Sequence, residues 1–388
     1  MSENAEQIIP ARRARVVKNP VPWYTPRFWH GMRFSTWLRV LARNKFDVSF
    51  FKLHTASSIT FVSLLNSLLA KLDAVLYTRR TSQVELPAPP IFILGHWRAG
   101  TTLLHELLIL DAAHTFPNTY QCFVPHHFVL TEKWLAPLTQ LLIPRRRPMD
   151  NMAAGWRRPQ EDEFALCNLG VPSPYLTMLF PRRGAAHPEY LDLGSLSPGE
   201  QQAWGQALDQ FFRRVTFCDP RRIVVKSPPH TARINTLLEI YPQAKFVHLV
   251  RDPFELFVST VGLWRSLNEV QRMQAPSDEA DIEEYVLATF ERMYASFERD
   301  RQRLNQDQIV ELRYEDLVQN PLECMRKLYT ELDLGDFTLV ESAMQTHLAS
   351  VKSYRPNRYQ LTSEQRDRVA HRWKGYLDRY GYAAVERE

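Results

Sequence analysis

An apolar run, a glycine-bounded loop and a leucine-rich segment constrain this chain more than any other feature. The run Ile91-Phe92-Ile93-Leu94 predicts a buried strand, and the leucines at 103, 104, 107 and 108 recur at helical spacing. Between them, residues 95–100 have the glycine spacing of a phosphate-binding loop. The sequence therefore predicts an anion site at a strand-to-helix turn, held by backbone amides and the helix N-terminus. An ordinary tight turn is the alternative.

Later segments alternate between the two kinds of secondary structure. Strands are predicted at 222–226, 245–250 and 309–313, and helices at 230–242, at 279–304 and after residue 314. Residues 111–158 show no clear period and are predicted to be irregular. Alternating strands and helices indicate an α/β fold, a parallel sheet flanked by helices, with ligands at the carboxyl ends of its strands.

Composition limits the class of protein. The 388 residues, 45% of them hydrophobic, are enough for a sizeable core. The four cysteines are widely spaced and lie in no metal-ligand pattern, so we expect no metal site and a reducing, cytoplasmic location. The N-terminus lacks the pattern of a signal peptide, and no stretch is expected to be long enough to span a membrane.

The basic charge is concentrated near the N-terminus. Residues 1–47 carry nine Lys and Arg against three Asp and Glu, whereas the whole chain has a net charge of +5. Aromatic residues accompany them, among them Trp23, Tyr24, Phe28, Trp29, Phe34 and Trp37, and residues 56–77 can form an amphipathic helix. Through residues 1–80 the chain could contact an anionic membrane surface or cover an acceptor site; the alternative is a helical arm packed on the main domain. Nucleic acid binding is not expected, because no basic stripe with interleaved aromatic residues continues along the chain.

A polar, proline-rich segment at 81–90 separates this region from the predicted first strand. We therefore divide the chain into an N-terminal helical extension, residues 1–87, and a main domain, residues 88–388.

The phosphate loop lacks the lysine of a nucleoside triphosphatase. Thr101 and Thr102 stand where such proteins have Lys-Ser or Lys-Thr, so Arg98 is the nearest source of positive charge. This pattern fits an anion held by amides, one arginine and two hydroxyls better than it fits magnesium–ATP. It disfavours an ATP-dependent small-molecule kinase. A membrane-peripheral protein that binds an adenine nucleotide without catalysis is a further alternative.

Three motifs in order resemble those of sulfotransferases that use 3'-phosphoadenylyl sulfate. Arg98-Ala99-Gly100-Thr101-Thr102 is similar to the family's loop for the 5'-phosphosulfate. Arg251 at a predicted strand end, with Ser259 eight residues later, is similar to the pair that grips the 3'-phosphate. Residues 312–317, followed by Asn320-Pro321, look like a late strand-to-helix segment of the family. The resemblance implies a P-loop-like fold, a metal-free transfer to a hydroxyl or amine acceptor, and adenosine 3',5'-bisphosphate as product.

Departures from the cytosolic members are informative. Leu103 replaces a tryptophan that packs near the adenine, and the family's catalytic histidine, two residues after a lysine, is Pro228 here. Lys226 matches the family's lysine. The Lys-x-Pro arrangement at 226–228 and the arginine in the loop look more like the tyrosylprotein and bacterial branches. The resemblance implies that Lys226, with Arg98, acts on the charge that develops at the departing oxygen. A salt-bridged lysine at a sheet edge is the alternative.

The missing histidine leaves the general base to be found. Glu161 is our first choice, since it opens an acidic triplet that leads into an apolar helix. Acids in a first turn also simply favour the helix dipole. A second basic element, Arg355 within residues 352–359, could fold over the donor or could be a solvated loop; the acceptor itself stays open. The other candidate bases are Glu163, His126, His127 and His230, of which His126 and His127 could also be a surface pair.

Overall fold

The computed structural model describes residues 22, 24–144, 153–275, 278–351 and 361–382. The described chain forms five strands and fifteen α-helices, joined by short 3-10 turns. The strands are β1 (Ile91–Leu94), β2 (His114–Thr115), β3 (Arg222–Lys226), β4 (Lys245–Val250) and β5 (Ile309–Arg313). The helices are α1 (Phe34–Arg43), α2 (Leu53–Ser82), α3 (Thr101–Leu108), α4 (Thr119–Phe123), α5 (Phe128–Thr139), α6 (Asp162–Leu169), α7 (Pro198–Cys218), α8 (Ile234–Ile240), α9 (Pro253–Gln271), α10 (Glu279–Asp300), α11 (Tyr314–Gln319), α12 (Pro321–Glu331), α13 (Thr338–Val351), α14 (Ser363–Arg372) and α15 (Lys374–Tyr380).

The five strands form one sheet in the order β2-β3-β1-β4-β5, and every pairing is parallel. Alternate residues of each strand enter different cores. Phe92 and Phe246 belong to a core on one face of the sheet, and Ile93 and Val247 to a second core on the other. Burial on both faces explains why β1, β3 and β4 are mostly apolar. The α/β prediction is confirmed.

The predicted strands have the observed limits, but residues 111–158 are not irregular. They contain β2, α4 and α5. Helix α5 carries Pro137 inside it, and α4 has five residues, so neither shows a long helical period. The expectation that no stretch could span a membrane was also wrong as a matter of length. Among the described residues, one helical segment, Phe50–Ser82, is long and apolar enough.

The N-terminal extension packs against the main domain. Trp29, Trp37 and Ile59 are buried in the same core as Phe92. Across the contact, the indole of Trp29 donates a hydrogen bond to the Gln271 carbonyl oxygen at 3.1 Å. Helix α2 ends at Ser82, so the proposed boundary at residue 87 falls in the connection that leads to β1.

Candidate functional site

The carboxyl ends of three adjacent strands bring the predicted motifs together. The central strand β1 leads into the loop at 95–100, while its neighbours β3 and β4 end at Lys226 and just before Arg251. Strand β1 lies between strands that follow it in sequence on both sides, which is the position where open parallel sheets form a ligand crevice.

The loop requires a glycine immediately before α3. Gly100 has φ +97°, and a Cβ there would lie 2.2 Å from the Tyr314 ring. Tyr314 opens α11 after β5, so the late strand-to-helix segment packs directly against the phosphate loop. Arg98 also has a positive φ, 70°, which is costly for a residue with a side chain. The helix that follows begins with Thr101 and Thr102, which places the amides of its first turn at the strand end.

Arg98, Arg251 and Ser259 form one polar cluster. Arg98 Nε donates to Ser259 Oγ at 3.0 Å, and Arg251 Nη1 donates to the Arg98 carbonyl oxygen at 2.8 Å. The Arg251 guanidinium lies over the Tyr314 ring, 4.4 Å from its centroid. Its Nε is buried and has no hydrogen-bond partner within the described residues. A buried guanidinium with an unused donor, beside a hydroxyl and a helix N-terminus, fits a phosphate group.

On the other side of the loop, Lys226 pairs with Glu161. Lys226 Nζ donates to Glu161 Oε1 at 2.5 Å, and the two side chains are 8% and 14% exposed. Lys226 is the last residue of β3, which is an inner strand of the sheet, so this lysine does not lie at a sheet edge. The Tyr175 hydroxyl donates to Glu161 Oε2, and the indole of Trp97, inside the phosphate loop, donates to Tyr175 Oη at 3.1 Å. Burial, and then the neighbouring Glu161 carboxylate, raise the pKa of Tyr175 well above its usual value, so its hydroxyl stays a donor.

Asp162, the second acid of the triplet, is fully buried. Its carboxylate accepts hydrogen bonds from Ser227 Oγ at 2.6 Å and pairs with His230 Nε2 at 2.7 Å. Burial alone would raise the pKa of Asp162, but the charge of His230 and the hydrogen bonds from His230 and Ser227 outweigh it and lower the pKa. Asp162 and His230 therefore form a pair with each other in the interior of the protein.

Glu163, the third acid, is held by an arginine. Arg233 contacts both carboxylate oxygens of Glu163, at 2.5 and 3.2 Å, and Ser173 Oγ donates to Oε1 at 2.6 Å. Both charged side chains are at most 1% exposed. The triplet thus pairs in sequence order with Lys226, His230 and Arg233, and Glu161 is the member nearest to solvent.

The two adjacent histidines are not a surface pair. His127 is buried and contacts Thr131 Oγ1 at 2.9 Å and Asn66 of α2 at 3.2 Å. His126 Nε2 lies 2.9 Å from the Asn168 carbonyl oxygen. Burial lowers the pKa of His126 to about 3 and that of His127 to about 4. The His127 contact joins the N-terminal extension to the main domain, and the His126 contact joins helix α6 to the segment that precedes α5.

Other predicted positions are placed as follows. Ala99 is buried beside Arg98, and Thr101 is buried while Thr102 is half-buried at the start of α3. Arg355 and the basic run around it lie outside the described residues. Within the described ranges, no group of three or more His, Cys, Asp or Glu side chains could hold a metal ion. Sequence reasoning assigned no role to Trp97 or Tyr175, and it included Tyr314 only as part of the late strand-to-helix segment. Trp97 stands inside the loop motif, whereas nothing near Tyr175 marks it.

Fold and site together define an α/β protein with a glycine-bounded loop between β1 and α3, and a lysine–carboxylate pair beside that loop. A sequence model of the sulfotransferase family matches residues 89–338. The chain is also 43% identical to omega-hydroxy-beta-dihydromenaquinone-9 sulfotransferase Stf3 of Mycobacterium bovis and of Mycobacterium tuberculosis, over 93% of this chain and 92% of each relative. The chain belongs to the sulfotransferase family.

Solved structures agree with this fold. The structure is similar to that of sulfotransferase STF9 from Mycobacterium avium, with a TM-score of 0.67, 18% identity, and coverage of 90% of this chain and 96% of that one. For sulfotransferase STF1 from Mycobacterium tuberculosis the TM-score is 0.63 at 20% identity, with coverage of 92% and 94%. At these identities the likeness supports the fold alone.

Proposed function

We propose that this sulfotransferase moves a sulfuryl group from 3'-phosphoadenylyl sulfate to an acceptor hydroxyl by in-line transfer. The observation that carries the proposal is the Lys226–Glu161 pair, which lies at the end of β3 beside the phosphate loop. A cation for the departing oxygen and a carboxylate for the acceptor proton are the two groups that such a transfer needs.

The donor would bind along the strand ends. Residues 98–102 would hold the 5'-phosphosulfate through backbone amides, the Arg98 side chain and the two threonine hydroxyls. The 3'-phosphate would bind to Arg251 and Ser259, and the unused buried Nε of Arg251 supports this assignment. Tyr314, which packs on both Gly100 and Arg251, would keep the two phosphate sites in register.

In the transfer, the bond between sulfur and the bridging oxygen breaks while a bond forms between sulfur and the acceptor oxygen. Lys226 has three N–H donors, one of which is used by Glu161, so others can stabilise the charge that grows on the departing oxygen. Glu161 takes the proton of the acceptor hydroxyl. We assign the base to Glu161 rather than to Glu163, because Glu163 is buried in a bidentate pair with Arg233.

The acceptor we propose is a hydroxylated lipid of the menaquinone class. The Stf3 relatives carry such an acceptor in their name, and they share 43% of aligned residues with this chain. Such a lipid is dissolved in a bilayer, which accords with the predicted membrane contact of residues 1–80 and with a cytoplasmic, membrane-associated enzyme.

The test is transfer of radioactive sulfate from labelled 3'-phosphoadenylyl sulfate to a hydroxylated menaquinone in detergent, without added metal. We expect labelled lipid and adenosine 3',5'-bisphosphate in equal amounts. A menaquinone without the hydroxyl is the matched control and should remain unlabelled. Turnover of ATP that depends on magnesium would instead support the kinase alternative. Tight nucleotide binding with no transfer to any hydroxyl acceptor would support the non-catalytic one.

A further inference from the structure

Helix α2 carries its polar residues inward and its leucines outward. The residues that it buries against the protein are mostly small or polar, among them Ser63, Asn66 and Asp73. On its outer side Leu68 is 64% exposed and Val75 is 84% exposed. Only 28% of its most apolar 18-residue window is buried in the protein. A surface helix normally shows the opposite arrangement, so the outer side of α2 is suited to an apolar environment.

The inward polar groups hold α2 on the domain. Asn66 Nδ2 donates to the carbonyl oxygens of His30 and Met32 at 2.6 and 3.1 Å. Asp73, fully buried, pairs with Arg214 at 2.8 Å. A spanning orientation of α2 would break these contacts and place Asp73 unpaired in hydrocarbon, which is costly. The helix is therefore placed to lie along a membrane surface, not across it.

Helix α5, which contacts α2, adds apolar area to the same region. The backbone N–H of Leu130 in α5 donates to Asp73 Oδ2 at 3.1 Å, which joins the two helices. Further along α5, Trp134 and Leu138 are exposed. Exposed tryptophans are common where a protein meets the interface of a bilayer.

The exposed charges of this region are basic. Between residues 50 and 82 the acid is Asp73, which is buried, while Lys71, Arg79 and Arg80 are exposed. Residues 1–21 carry four basic and two acidic residues, so covering α2 with them would place basic groups against basic groups. A second copy of the chain would meet the same repulsion. An anionic surface is complementary to this charge.

We propose that the outer sides of α2 and α5 form one docking surface for an anionic lipid bilayer, with α2 in the plane of the membrane. The proposal deepens the proposed function, since it rests on an acceptor that is dissolved in lipid. Vesicle binding itself requires neither donor nor turnover, so the two proposals can fail separately.

The experiment is co-sedimentation of the full chain with vesicles that contain phosphatidylglycerol, and with vesicles of phosphatidylcholine alone. We expect stronger binding to the anionic vesicles, weakened by salt because exposed charges are screened. The double substitution Leu68→Ser with Leu72→Ser should lower the partition coefficient about 10- to 100-fold, from the apolar area that no longer leaves water. The control, Val318→Ser with Leu339→Ser, removes two exposed apolar side chains from helices α11 and α13, outside the proposed surface, and should change the partition coefficient little.

Binding of adenosine 3',5'-bisphosphate, measured on each variant, shows whether the fold and donor site remain intact. The proposal is overturned if the wild-type chain does not sediment with anionic vesicles at low salt. It is also overturned if the Leu68/Leu72 variant binds as the wild type does. A dimer in sedimentation velocity that this variant abolishes, without vesicle binding by the wild type, would identify a second copy as the occupant.

Discussion

Replacing Glu161 by glutamine tests the assignment of the base. Glutamine keeps the size of the side chain and one oxygen for Lys226 or Tyr175, but it cannot take a proton from the acceptor. General-base catalysis contributes about 10²–10⁴-fold to a rate, so kcat of Glu161→Gln should fall on that scale. Affinity for adenosine 3',5'-bisphosphate should be nearly unchanged, because the carboxylate is held by Lys226 and Tyr175, whereas the phosphates are assigned to the Arg98, Arg251 and Ser259 cluster.

The assay is sulfate transfer under saturating donor, with product affinity from titration calorimetry and stability from thermal unfolding. Glu163→Gln is the matched control, since it makes the same change two residues away. It breaks the buried pair with Arg233, and loss of one partner of a buried pair costs about 3–5 kcal/mol. We expect Glu163→Gln to lower the unfolding temperature more than Glu161→Gln does, because the Glu163–Arg233 pair is at most 1% exposed whereas Lys226 and Glu161 are 8% and 14% exposed. Near-normal turnover in Glu161→Gln would refute the assignment, and lost product binding would mark Glu161 as structural.

Three further predictions concern the loop and its surroundings. Arg251→Ala should weaken binding of adenosine 3',5'-bisphosphate about 10- to 100-fold in calorimetry, from a lost charge-assisted hydrogen bond, and adenosine 5'-monophosphate should bind nearly as before. Gly100→Ala should lower both the unfolding temperature and product affinity, since its Cβ would lie 2.2 Å from Tyr314; Gly335→Ala, at φ +105° with nothing within 4 Å, isolates the cost of the backbone angle. Burial lowers the pKa of His96 from 6.5 to about 3, so the unfolded chain binds more protons between these values and stability falls as pH falls. At pH 5 the resulting loss of folding free energy is about 2 kcal/mol. The difference in the free energy of unfolding between pH 7 and pH 5, measured with urea, should therefore be smaller by about that amount in His96→Gln.

Strands β1, β3 and β4 could be predicted because each is a short, mostly apolar run buried on both faces of the sheet, whereas β2, which is only His114-Thr115, has no such run and was missed. Such a run is recognisable from the local sequence alone, and the ends of β1 at Leu94 and of β3 at Lys226 were predicted from it. Helices α4 and α5 could not be predicted in the same way. Their side chains are buried against α2, α6 and the 3-10 turns rather than along one periodic stripe, so tertiary contact determines them.

The motifs that bind phosphate are local too, since a loop and the helix behind it are continuous in sequence. The acidic triplet is different, because its members are distinguished only by partners far along the chain. Glu161 meets Lys226 from 65 positions away, and Glu163 meets Arg233 from 70. Helical spacing placed both glutamates beside apolar neighbours and did not separate them.

Which side of helix α2 is buried could not be predicted from the sequence either. Its leucines predict an amphipathic helix, and the sequence left open whether that helix contacts a membrane or packs on the main domain. Hydrogen bonds to His30 and Met32 and an ion pair to Arg214 turn its polar side inward. An apolar period therefore identifies a helix without identifying which side the protein buries. The buried polar partners decide the orientation, because burying the side chain of Asn66 without a hydrogen-bond partner would cost about 1–3 kcal/mol, and burying the charged Asp73 unpaired would cost more. On our proposal that the outward leucines rest on a bilayer, a lipid acceptor would reach the enzyme from the same apolar phase.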